Sequence, residues 1–417
     1  MRNAGSPGRR VVHVLRKYDP LEWGGTEAHV AEVTRRLVGL GWSPEIHAPA
    51  GPVTPDRVLD QRVPLVRYRA FCPYLGAASQ RKALVANAGN LVTLDEPFRL
   101  ARDRGIALAH LHTGGRVGGA VRTAMRLTGR PYVISVHGPL LARRSWLDEE
   151  LARRTAGLVD LGRPFGALLG ARRVFRDAAR VLTFNQEERQ ALAGQLGDRV
   201  LCLDQGVDAG RLASGCAERA AARWPRLAGS PVVALVGRIH PQKNQLLAIQ
   251  AFARGAPADH HLVLAGAVVD PSYRDTLERE ARALGVASRV HLLGNLEPAR
   301  EVPDLFARAR LVLVPSVHEA FGLVVLEAWA AGRPVMLAVH SGLADLSAAI
   351  GKDGLAVPSL EAGDWAAALR QALASPERLG VAARAGAALV RQRFGWDVVA
   401  RRIQEVYEAV LEEGRAS

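Results

Sequence analysis

The chain has 417 residues, of which 48% are hydrophobic and 23% are charged. This length exceeds one ordinary domain, so we expect two, and the composition excludes a largely disordered chain. The three cysteines, Cys72, Cys202 and Cys216, form no CxxC pair and predict neither a disulfide framework nor a zinc site. Neither a signal peptide nor a run of ~20 apolar residues is recognisable, so a cytoplasmic protein is expected.

The net charge of +14 is concentrated in the first half of the chain. Residues 1–200 hold 31 Lys and Arg against 18 Asp and Glu, whereas residues 201–417 hold 24 against 23. A basic half favours an anionic partner, such as a phosphorylated acceptor, an acidic membrane surface or nucleic acid. An arginine-rich composition with no such partner is the alternative.

Short apolar runs alternate with longer helical patterns, which predicts parallel sheets covered by helices on both faces. The predicted strands are Val11–Leu15, Ala107–Leu111, Tyr132–Val136, Arg180–Phe184, Val232–Val236, His261–Ala265, Val290–Leu293 and Arg310–Val314. The predicted helices include Ala28–Leu40, Glu187–Leu196, Asn244–Ala253, Ser272–Leu284, Leu323–Ala331 and a last one at Trp396–Glu413.

The alternation pauses in the glycine-rich segment 203–231, which we interpret as a linker with one short helix inside. The prediction is therefore an α/β protein with an N-terminal Rossmann-like domain at 1–205, a C-terminal one at 206–395 and a final helix at 396–417. Two doubly wound domains that face each other would bring the carboxyl ends of their strands, where such sheets bind ligands, around one cleft.

The most specific motif runs from Glu319 to Glu327 and reads Glu-Ala-Phe-Gly-Leu-Val-Val-Leu-Glu. Gly322 opens a predicted helix, so the N–H groups of Phe321, Gly322 and Leu323 are expected to point toward a ligand. Such a helix start is an anion site suited to a diphosphate. The two carboxylates can accept hydrogen bonds from sugar and ribose hydroxyls. A solvated charge on the helix is the alternative for Glu327.

A basic loop follows the predicted strand Val232–Val236. It contains Gly237, where the backbone can approach a ligand closely, and then Arg238 and Lys243. A guanidinium fork beside an ammonium can hold a diphosphate whose charge grows as its bond to a sugar breaks. Surface salt bridges are the alternative role.

Two glycines, Gly24 and Gly25, follow the first predicted strand and permit close contact with a ligand. Thr26 is the predicted N-cap of the next helix. The chain has neither a GxGxxG fingerprint nor a GxxxxGK[ST] loop, which argues against hydride transfer and P-loop ATPase chemistry.

Two histidines, His112 and His137, lie at the ends of predicted strands, where each is a candidate for the cleft. A purely structural role is the alternative for both. The absence of GxSxG removes the nucleophile elbow of a hydrolase. Because no His, Cys and Asp cluster has metal-ligand spacing, neither a bound metal nor a cofactor is expected.

Together these motifs resemble the retaining GT-B glycosyltransferases of family four (GT4), and the resemblance covers nearly the whole chain. It rests on the Glu-x7-Glu motif with Phe-Gly-Leu inside it, on the Gly-Arg loop with its lysine, on the Gly-Gly turn and on the strand-end histidines. The resemblance implies transfer of a sugar from a nucleotide-diphosphate donor to an acceptor hydroxyl, with retained anomeric configuration and without a metal.

The resemblance also implies roles for the C-terminal motifs. Glu327 would hold the ribose hydroxyls, and Arg238 and Lys243 would hold the diphosphate. Glu319 and the N–H groups of Phe321–Leu323 would bind donor-sugar hydroxyls and phosphate.

In the first domain, the resemblance implies that Gly24 and Gly25 approach the diphosphate. It also implies that His137 contacts the donor sugar near the reacting carbon, so that His137 and Glu319 are the catalytic candidates. The acceptor would be a hydroxyl compound from the synthesis of a surface glycan, glycolipid or small glycoside, and an anionic or lipid-linked compound is a candidate. The final helix would return to the first domain.

Three places depart from the family pattern. Gln205 stands where an Asn is usual, Asn185 stands where a Ser is common, and residues 339–343 lack the usual Gly-Gly-x-x-Glu. These departures concern recognition of the donor sugar rather than the type of reaction.

Two other functions compete with this prediction. A sugar-nucleotide epimerase on the same fold would need no acceptor, whereas a phosphorylase would need a pyridoxal-binding lysine and a longer chain. A non-catalytic membrane or nucleic-acid binder would use the basic half, but no RNA-binding motif, helix-turn-helix or zinc finger supports nucleic acid. The mixed basic and apolar segments Arg62–Lys82 and Leu158–Arg176 are candidates for peripheral contact with the inner face of a membrane; a solvated basic face is the alternative.

Overall fold

The computed structural model describes residues 9–18, 24–50, 62–75, 91–138, 157–340 and 342–416. The chain divides into an N-terminal unit, Met1–Leu203 with Trp396–Ser417, and a C-terminal unit, Asp204–Gly395. Each unit is built on one parallel sheet with helices packed on it, so the predicted α/β fold with two doubly wound domains is confirmed. Among the described helices, none combines the length and apolar character needed to cross a bilayer.

The N-terminal unit has a seven-stranded sheet with the strand order β7-β6-β5-β4-β1-β2-β3. In chain order the strands are β1 (Arg10–Val14), β2 (Ser43–Pro49), β3 (Leu65–Tyr68), β4 (Ile106–Leu111), β5 (Tyr132–Ser135), β6 (Arg180–Thr183) and β7 (Val200–Cys202). The helices of this part are α1 (Gly25–Gly39), α2 (Asp95–Arg102), α3 (Gly115–Leu127), α4 (Arg163–Leu168) and α5 (Gln186–Leu196). Two short antiparallel pairs join Ala70–Phe71 to Val92–Thr93 and Tyr74–Leu75 to Val159–Asp160.

The C-terminal unit has a six-stranded sheet with the strand order β10-β9-β8-β11-β12-β13. The strands are β8 (Val232–Val236), β9 (His261–Ala265), β10 (Val290–Gly294), β11 (Ala309–Val314), β12 (Val335–Ala338) and β13 (Leu355–Val357). The helices are α6 (Ala209–Ala213), α7 (Ala217–Arg223), α8 (Gln245–Gly255), α9 (Pro271–Ala283), α10 (Glu301–Arg308), α11 (Leu323–Ala330), α12 (Gly342–Ile350), α13 (Ala362–Leu373) and α14 (Pro376–Leu389).

The last helix, α15 (Trp396–Ala416), belongs to the N-terminal unit. Its apolar residues recur at helical spacing and line one face, which packs with α1 on the sheet. Ile403 and Tyr407 are fully buried there against Val11 of β1 and Leu108 of β4. Side chains that alternate with these on the strands pack against α2, α3 and α5 on the opposite face.

All eight predicted strands are present, with bounds that differ by at most one residue. Strands β2, β3, β7, β12 and β13 were not predicted. Strand β2 lacks the apolar pattern of a buried strand because Glu45 and His47 are polar. In the structure, Glu45 is hydrogen-bonded to Arg10, and His47 is hydrogen-bonded to Glu96. Strand β13 has only three residues, which is too short for any periodicity.

The interpretation of residues 203–231 as a linker with one helix is wrong. The segment forms two helices, α6 and α7, and packs into the C-terminal unit, where Leu212 and Leu227 are buried. Asp208 caps α6 by accepting a hydrogen bond of 3.0 Å from the N–H of Arg211. Glycine at 215 lies so close to the carbonyl oxygen of Pro303 that an added Cβ would stand 2.1 Å from it.

A nearly buried ion pair holds α3 to the turn before β6. Arg122 Nε donates to Asp177 Oδ2 at 2.7 Å, and Arg126 Nη1 donates to the same oxygen at 2.8 Å. The side chains of Arg122 and Asp177 are only 10% and 9% exposed. Burial alone would raise the pKa of Asp177, but hydrogen bonds from Arg122, Arg176 and Arg126 together hold that pKa below its ordinary value.

Asp177→Asn should therefore lower the free energy of unfolding by about 3–5 kcal/mol, because it leaves a buried guanidinium without its charge partner. Because the folded pKa of Asp177 is depressed, its contribution is present above the ordinary pKa of 3.8 and is lost as the pH falls below it. Urea unfolding at pH 7 and at low pH measures both effects. The control Asp275→Asn breaks an exposed pair with Arg274 and should change stability by less than ~0.5 kcal/mol. Equal effects of the two variants at pH 7 would contradict the prediction.

Candidate active site

Helix α11 begins at the carboxyl end of β11, as the sequence predicts. Gly322 is its N-cap with a φ of +91°, a left-handed backbone that favours glycine. An added Cβ at Gly322 would also stand 2.6 Å from Leu343 Cδ2. Within the described residues, the N–H groups of Phe321, Gly322 and Leu323 donate to no acceptor. The helix start therefore offers three amides to an anion.

Glu319 and Lys243, which come from different sequence motifs, meet in the structure. The Lys243 Nζ donates to Glu319 Oε1 at 2.5 Å, and Ser316 Oγ donates to the same oxygen at 2.8 Å. Glu319 is 8% exposed. Its second oxygen, Oε2, bonds to none of the described residues. Lys243 is thus held by a carboxylate rather than standing alone, which the sequence did not indicate.

The backbone around Glu319 is packed closely against the start of α12. The N–H of Gly342 donates to the carbonyl oxygen of Glu319 at 3.0 Å. An added Cβ at Gly342 would stand 2.6 Å from the carbonyl oxygen of Ala320. Gly342, in the part of the sequence that departs from the family pattern, therefore supports the position of Glu319.

Arg238 stands on the loop that follows β8, the strand next to β11 in the sheet. Its backbone is fixed by Gln245, whose Nε2 donates to the Arg238 carbonyl oxygen at 2.8 Å. The preceding residue, Gly237, touches Gly266 so closely that a Cβ on Gly266 would lie 2.1 Å from the Gly237 carbonyl oxygen. The Arg238 side chain is exposed and bonds to no other described residue. This closely packed loop thus presents a guanidinium that pairs with none of the residues the structure describes.

Glu327 lies on α11, and its side chain is 31% exposed. Burial raises the pKa of this carboxyl, while Arg211 acts to lower it. Arg211 Nη2 stands 3.7 Å from Glu327 Oε1. Sequence reasoning missed Arg211, because it lies in the segment that was interpreted as a linker. The only available signal was Asp208, a residue type that often caps a helix start.

In the N-terminal unit, Gly24 is the N-cap of α1 and Gly25 is its first residue. The prediction that Thr26 is the N-cap is wrong. The side chain of Glu27, the third residue of the helix, fixes this start, because its Oε2 accepts a hydrogen bond of 3.1 Å from the N–H of the N-cap Gly24. A Cβ at Gly24 would stand 2.8 Å from this oxygen. Trp23, which precedes the turn, lies outside the described residues.

His112 and His137 lie just beyond β4 and β5 and are hydrogen-bonded to each other, with His112 Nδ1 2.8 Å from His137 Nε2. His112 is 7% exposed, and its Nε2 is 3.0 Å from Nδ1 of His13. Burial lowers the pKa of both His112 and His137 well below the ordinary value, so both rings are neutral near pH 7. His137 is the partly exposed member, and His112 stands behind it.

Behind these two residues lies a cluster that the sequence analysis missed. His13, His110 and His112 are buried, and each offers a possible metal-ligating atom within 4.8 Å of the others. Within the described residues this is the one such group. Its members come from two strands, so their proximity depends on strand pairing rather than on ligand spacing in the sequence. The available signal was polar histidine at alternate positions of otherwise apolar strands.

Comparisons with known proteins identify the family of this chain. Residues 24–202 match the model of the Glycosyl transferase 4-like domain, and residues 218–387 match that of Glycosyl transferases group 1. D-inositol 3-phosphate glycosyltransferase 2 of Catenulispora acidiphila is 30% identical, and the match covers 94% of this chain and 92% of that protein. D-inositol 3-phosphate glycosyltransferase of Kribbella flavida is also 30% identical, over 97% of both chains.

Solved structures show the same fold. The Anabaena protein Alr3699/HepE, solved in complex with UDP and glucose, superposes with a TM-score of 0.71 over 96% of this chain and 100% of that chain, at 18% identity. At this identity the likeness concerns the GT-B fold alone. The family models and the full-length relatives go further, and they establish that the chain belongs to the family of Glycosyl transferases group 1 and is a glycosyltransferase.

Proposed function

We propose that this glycosyltransferase moves a sugar from a nucleotide-diphosphate donor to an acceptor hydroxyl, with retention of anomeric configuration and without a metal ion. The observation that carries the proposal is the unpaired guanidinium of Arg238, at the end of the strand adjacent to β11, where α11 offers its amides. A guanidinium fork and the N–H groups of a helix start are groups that bind phosphate oxygens.

The ion pair between Lys243 and Glu319 suits both halves of such a donor. The ammonium has three N–H donors, of which the Glu319 carboxylate uses one, so the others can reach a diphosphate. Positive charge there stabilises the negative charge that grows on the leaving diphosphate. The remaining oxygen of Glu319, Oε2, is an acceptor for a hydroxyl of the sugar.

The nucleotide would be oriented by Glu327, whose carboxylate accepts hydrogen bonds from the ribose hydroxyls. Arg211 beside it favours the charged form of that carboxylate. Gly24 and Gly25, at the start of α1, are the candidates for diphosphate contact that the family resemblance implies in the N-terminal unit. Because the Anabaena structure holds UDP, uridine diphosphate sugars are the first donors to test.

The acceptor is an anionic hydroxyl compound, and a phosphorylated polyol is the class we favour. The two relatives that match over nearly their full length are D-inositol 3-phosphate glycosyltransferases. In this chain, nearly all of the net positive charge lies in the first half. Arg16 gives this charge a specific place. Its side chain is exposed at the end of β1, bonds to no described residue and lowers the pKa of His137 by its charge. A guanidinium in that position can bind the acceptor phosphate.

Retention would follow from attack on the face that the diphosphate leaves, with a departing phosphate oxygen accepting the proton of the acceptor hydroxyl. His137 would contact the donor sugar during this step. An epimerase is the alternative reaction on this scaffold, and it differs in needing no acceptor.

Arg238→Ala and Glu327→Ala should each abolish the thermal stabilisation caused by the cognate nucleotide sugar. The first variant removes the guanidinium that binds the diphosphate, and the second removes the carboxylate that accepts hydrogen bonds from the ribose. Each is a charge-assisted contact worth about 1.5–3 kcal/mol. A thermal-shift screen of UDP-, GDP- and ADP-sugars identifies the donor, and titration of the variants measures the loss. The controls are Arg254→Ala and Glu278→Ala, whose side chains are exposed on α8 and α9. Wild-type binding by the Arg238 and Glu327 variants would refute the site.

A sugar product should form only when a phosphorylated polyol is added, and NMR of the new linkage should show the anomeric configuration of the donor. Arg16→Ala should raise the KM for the phosphorylated acceptor roughly tenfold while leaving donor binding unchanged, because it removes one charged contact. Turnover of the nucleotide sugar to a new nucleotide sugar without acceptor would instead identify an epimerase. An inverted product would contradict retention.

A second candidate property is peripheral contact with an anionic membrane. Around α4, apolar side chains stand in solvent beside arginines: Leu161, Phe165 and Leu168 are 51%, 41% and 82% exposed, and Arg163 is 85% exposed. Apolar side chains that insert between headgroups while arginines bind anionic lipid are typical of interfacial helices. The part of the other predicted segment at 76–82 lies outside the described residues.

If this contact exists, the protein should co-sediment with vesicles that contain an anionic lipid and less with neutral ones. The double variant Phe165→Ser and Leu168→Ser should reduce the bound fraction several-fold, since two inserted side chains contribute a few kcal/mol. Leu127→Ser is the matched control, because Leu127 is 81% exposed on α3. A bound fraction that does not depend on the content of anionic lipid, or an equal decrease of the bound fraction in the control, would contradict the proposed membrane contact.

A further inference from the structure

The histidine cluster of the N-terminal unit forms a polar layer beneath α1 and α15. In the sheet, His13 of β1 is the register partner of His110 of β4. Because side chains alternate along a strand, these two project from the same face as Val11 and Leu108, the face that Tyr407 of α15 covers. His112 follows at the next position on that face. The layer therefore lies between the apolar core and the strand ends.

The side chains of this layer form a continuous hydrogen-bonded chain. Tyr407 Oη is 3.4 Å from His13 Nε2, His13 Nδ1 is 3.0 Å from His112 Nε2, and His112 Nδ1 is 2.8 Å from His137 Nε2. A branch leads from Tyr407 Oη to His110 Nδ1 at 2.5 Å. It ends at Ser135, whose Oγ is 2.8 Å from His110 Nε2. Nδ1 of His137, at the exposed end, bonds to no described residue.

Every histidine ring of this hydrogen-bonded series is neutral near pH 7. Burial, with a contribution from the neighbouring His29, lowers the pKa of His13 to about 3. Burial also lowers the pKa values of His110, His112 and His137 well below the ordinary value. A neutral imidazole has one N–H donor and one bare acceptor nitrogen. The hydrogen bonds along this series of rings must therefore all point the same way, because a neutral ring that accepts a hydrogen bond at one nitrogen donates one from the other.

Tyr407 sets this direction because its hydroxyl has one proton and two neighbours. Hydrogen bonds donated by a hydroxyl are shorter than those donated by an N–H group. The 2.5 Å contact thus assigns the proton to the bond toward His110 Nδ1, and His110 Nε2–H then donates to Ser135. The phenol oxygen accepts from His13 Nε2–H over the longer 3.4 Å contact. Carried along the chain, this order places a proton on Nε2 of each histidine.

We propose that Tyr407, acting through His13 and His112, is a positioning residue that keeps the proton of His137 on Nε2, so that a bare Nδ1 accepts a hydrogen bond from a hydroxyl of the donor sugar. The sugar contact rests on the proposed function; the proton arrangement does not. The last helix thereby has a part in donor recognition without touching the donor.

The direct test is the tautomer of His137, read from the ring ¹⁵N shifts of histidine-labelled protein, which separate a protonated nitrogen from a bare one. His137→Gln assigns the signals. In the wild type, Nε2 should be protonated and Nδ1 bare. In Tyr407→Phe, His13 Nε2–H would face a phenyl ring, and a buried N–H without an acceptor is avoided. The chain should therefore reverse, which places the proton of His137 on Nδ1.

Tyr132→Phe is the matched control. It also removes a buried tyrosine hydroxyl from this sheet, one that donates to the carbonyl oxygen of Val174 at 2.6 Å on the opposite face. In the Tyr132→Phe variant, His137 should have the same tautomer as in the wild type. A wild-type His137 protonated on Nδ1, an unchanged tautomer in Tyr407→Phe, or the same reversal in the control would each overturn the proposal. So would a stoichiometric metal ion in the purified protein, because a metal on His13, His110 and His112 would replace these bonds.

Binding measurements test the sugar contact separately. Tyr407→Phe should weaken binding of the nucleotide sugar roughly fivefold, which corresponds to the loss of about one neutral hydrogen bond. In kinetics, the rise in KM should be larger than any fall in kcat. Binding of the free nucleoside diphosphate should stay unchanged. Equal weakening of both ligands would overturn the role in sugar recognition. If no nucleotide sugar bound the wild type, the proposed function would fail, while the ¹⁵N shifts would still decide the direction of the chain.

Discussion

The ion pair between Lys243 and Glu319 joins the ends of two neighbouring strands, β8 and β11, and the remaining chemistry of the C-terminal unit is arranged around it. Two glycines pack close to it: Gly322 has a left-handed backbone at the start of α11, and the N–H of Gly342 in α12 donates to the carbonyl oxygen of Glu319. The outcome is a carboxylate with one oxygen used and one available, in the same unit as amides and a guanidinium that have no partner among the described residues. Such preorganised donors act on developing charge without the cost of reorganisation.

The N-terminal unit meets a different constraint, which is that several polar rings are buried under the last helix. Burying an imidazole without hydrogen bonds would cost stability, so the rings bond to each other, to Ser135 and to Tyr407. Strand pairing and α15 together close this network. These bonds satisfy the buried rings and, in the arrangement proposed above, also fix the position of the proton on His137.

Several features of the site follow from local sequence and were predictable. A helix that begins at Gly322 and a basic loop after β8 both depend on residues that are close in the chain. Local reasoning failed at two places. The sequence predicts Thr26 as the N-cap of α1, whereas the N-cap is Gly24, whose N–H donates to Glu27 three residues further on. Arg211 is not recognisable as a site residue because the glycine-rich segment around it still packs as helices.

The sequence by itself determined the class of fold, the family and the residue types that can bind a nucleotide sugar, because periodicity and motifs are local properties. Only the tertiary structure decided how those residues are used: that Lys243 is hydrogen-bonded to Glu319, that the Arg238 side chain has no partner among the described residues, and that His112 stands behind His137. These facts depend on which strands lie side by side, and contacts between residues 25 or 76 positions apart leave no periodic trace in a single sequence.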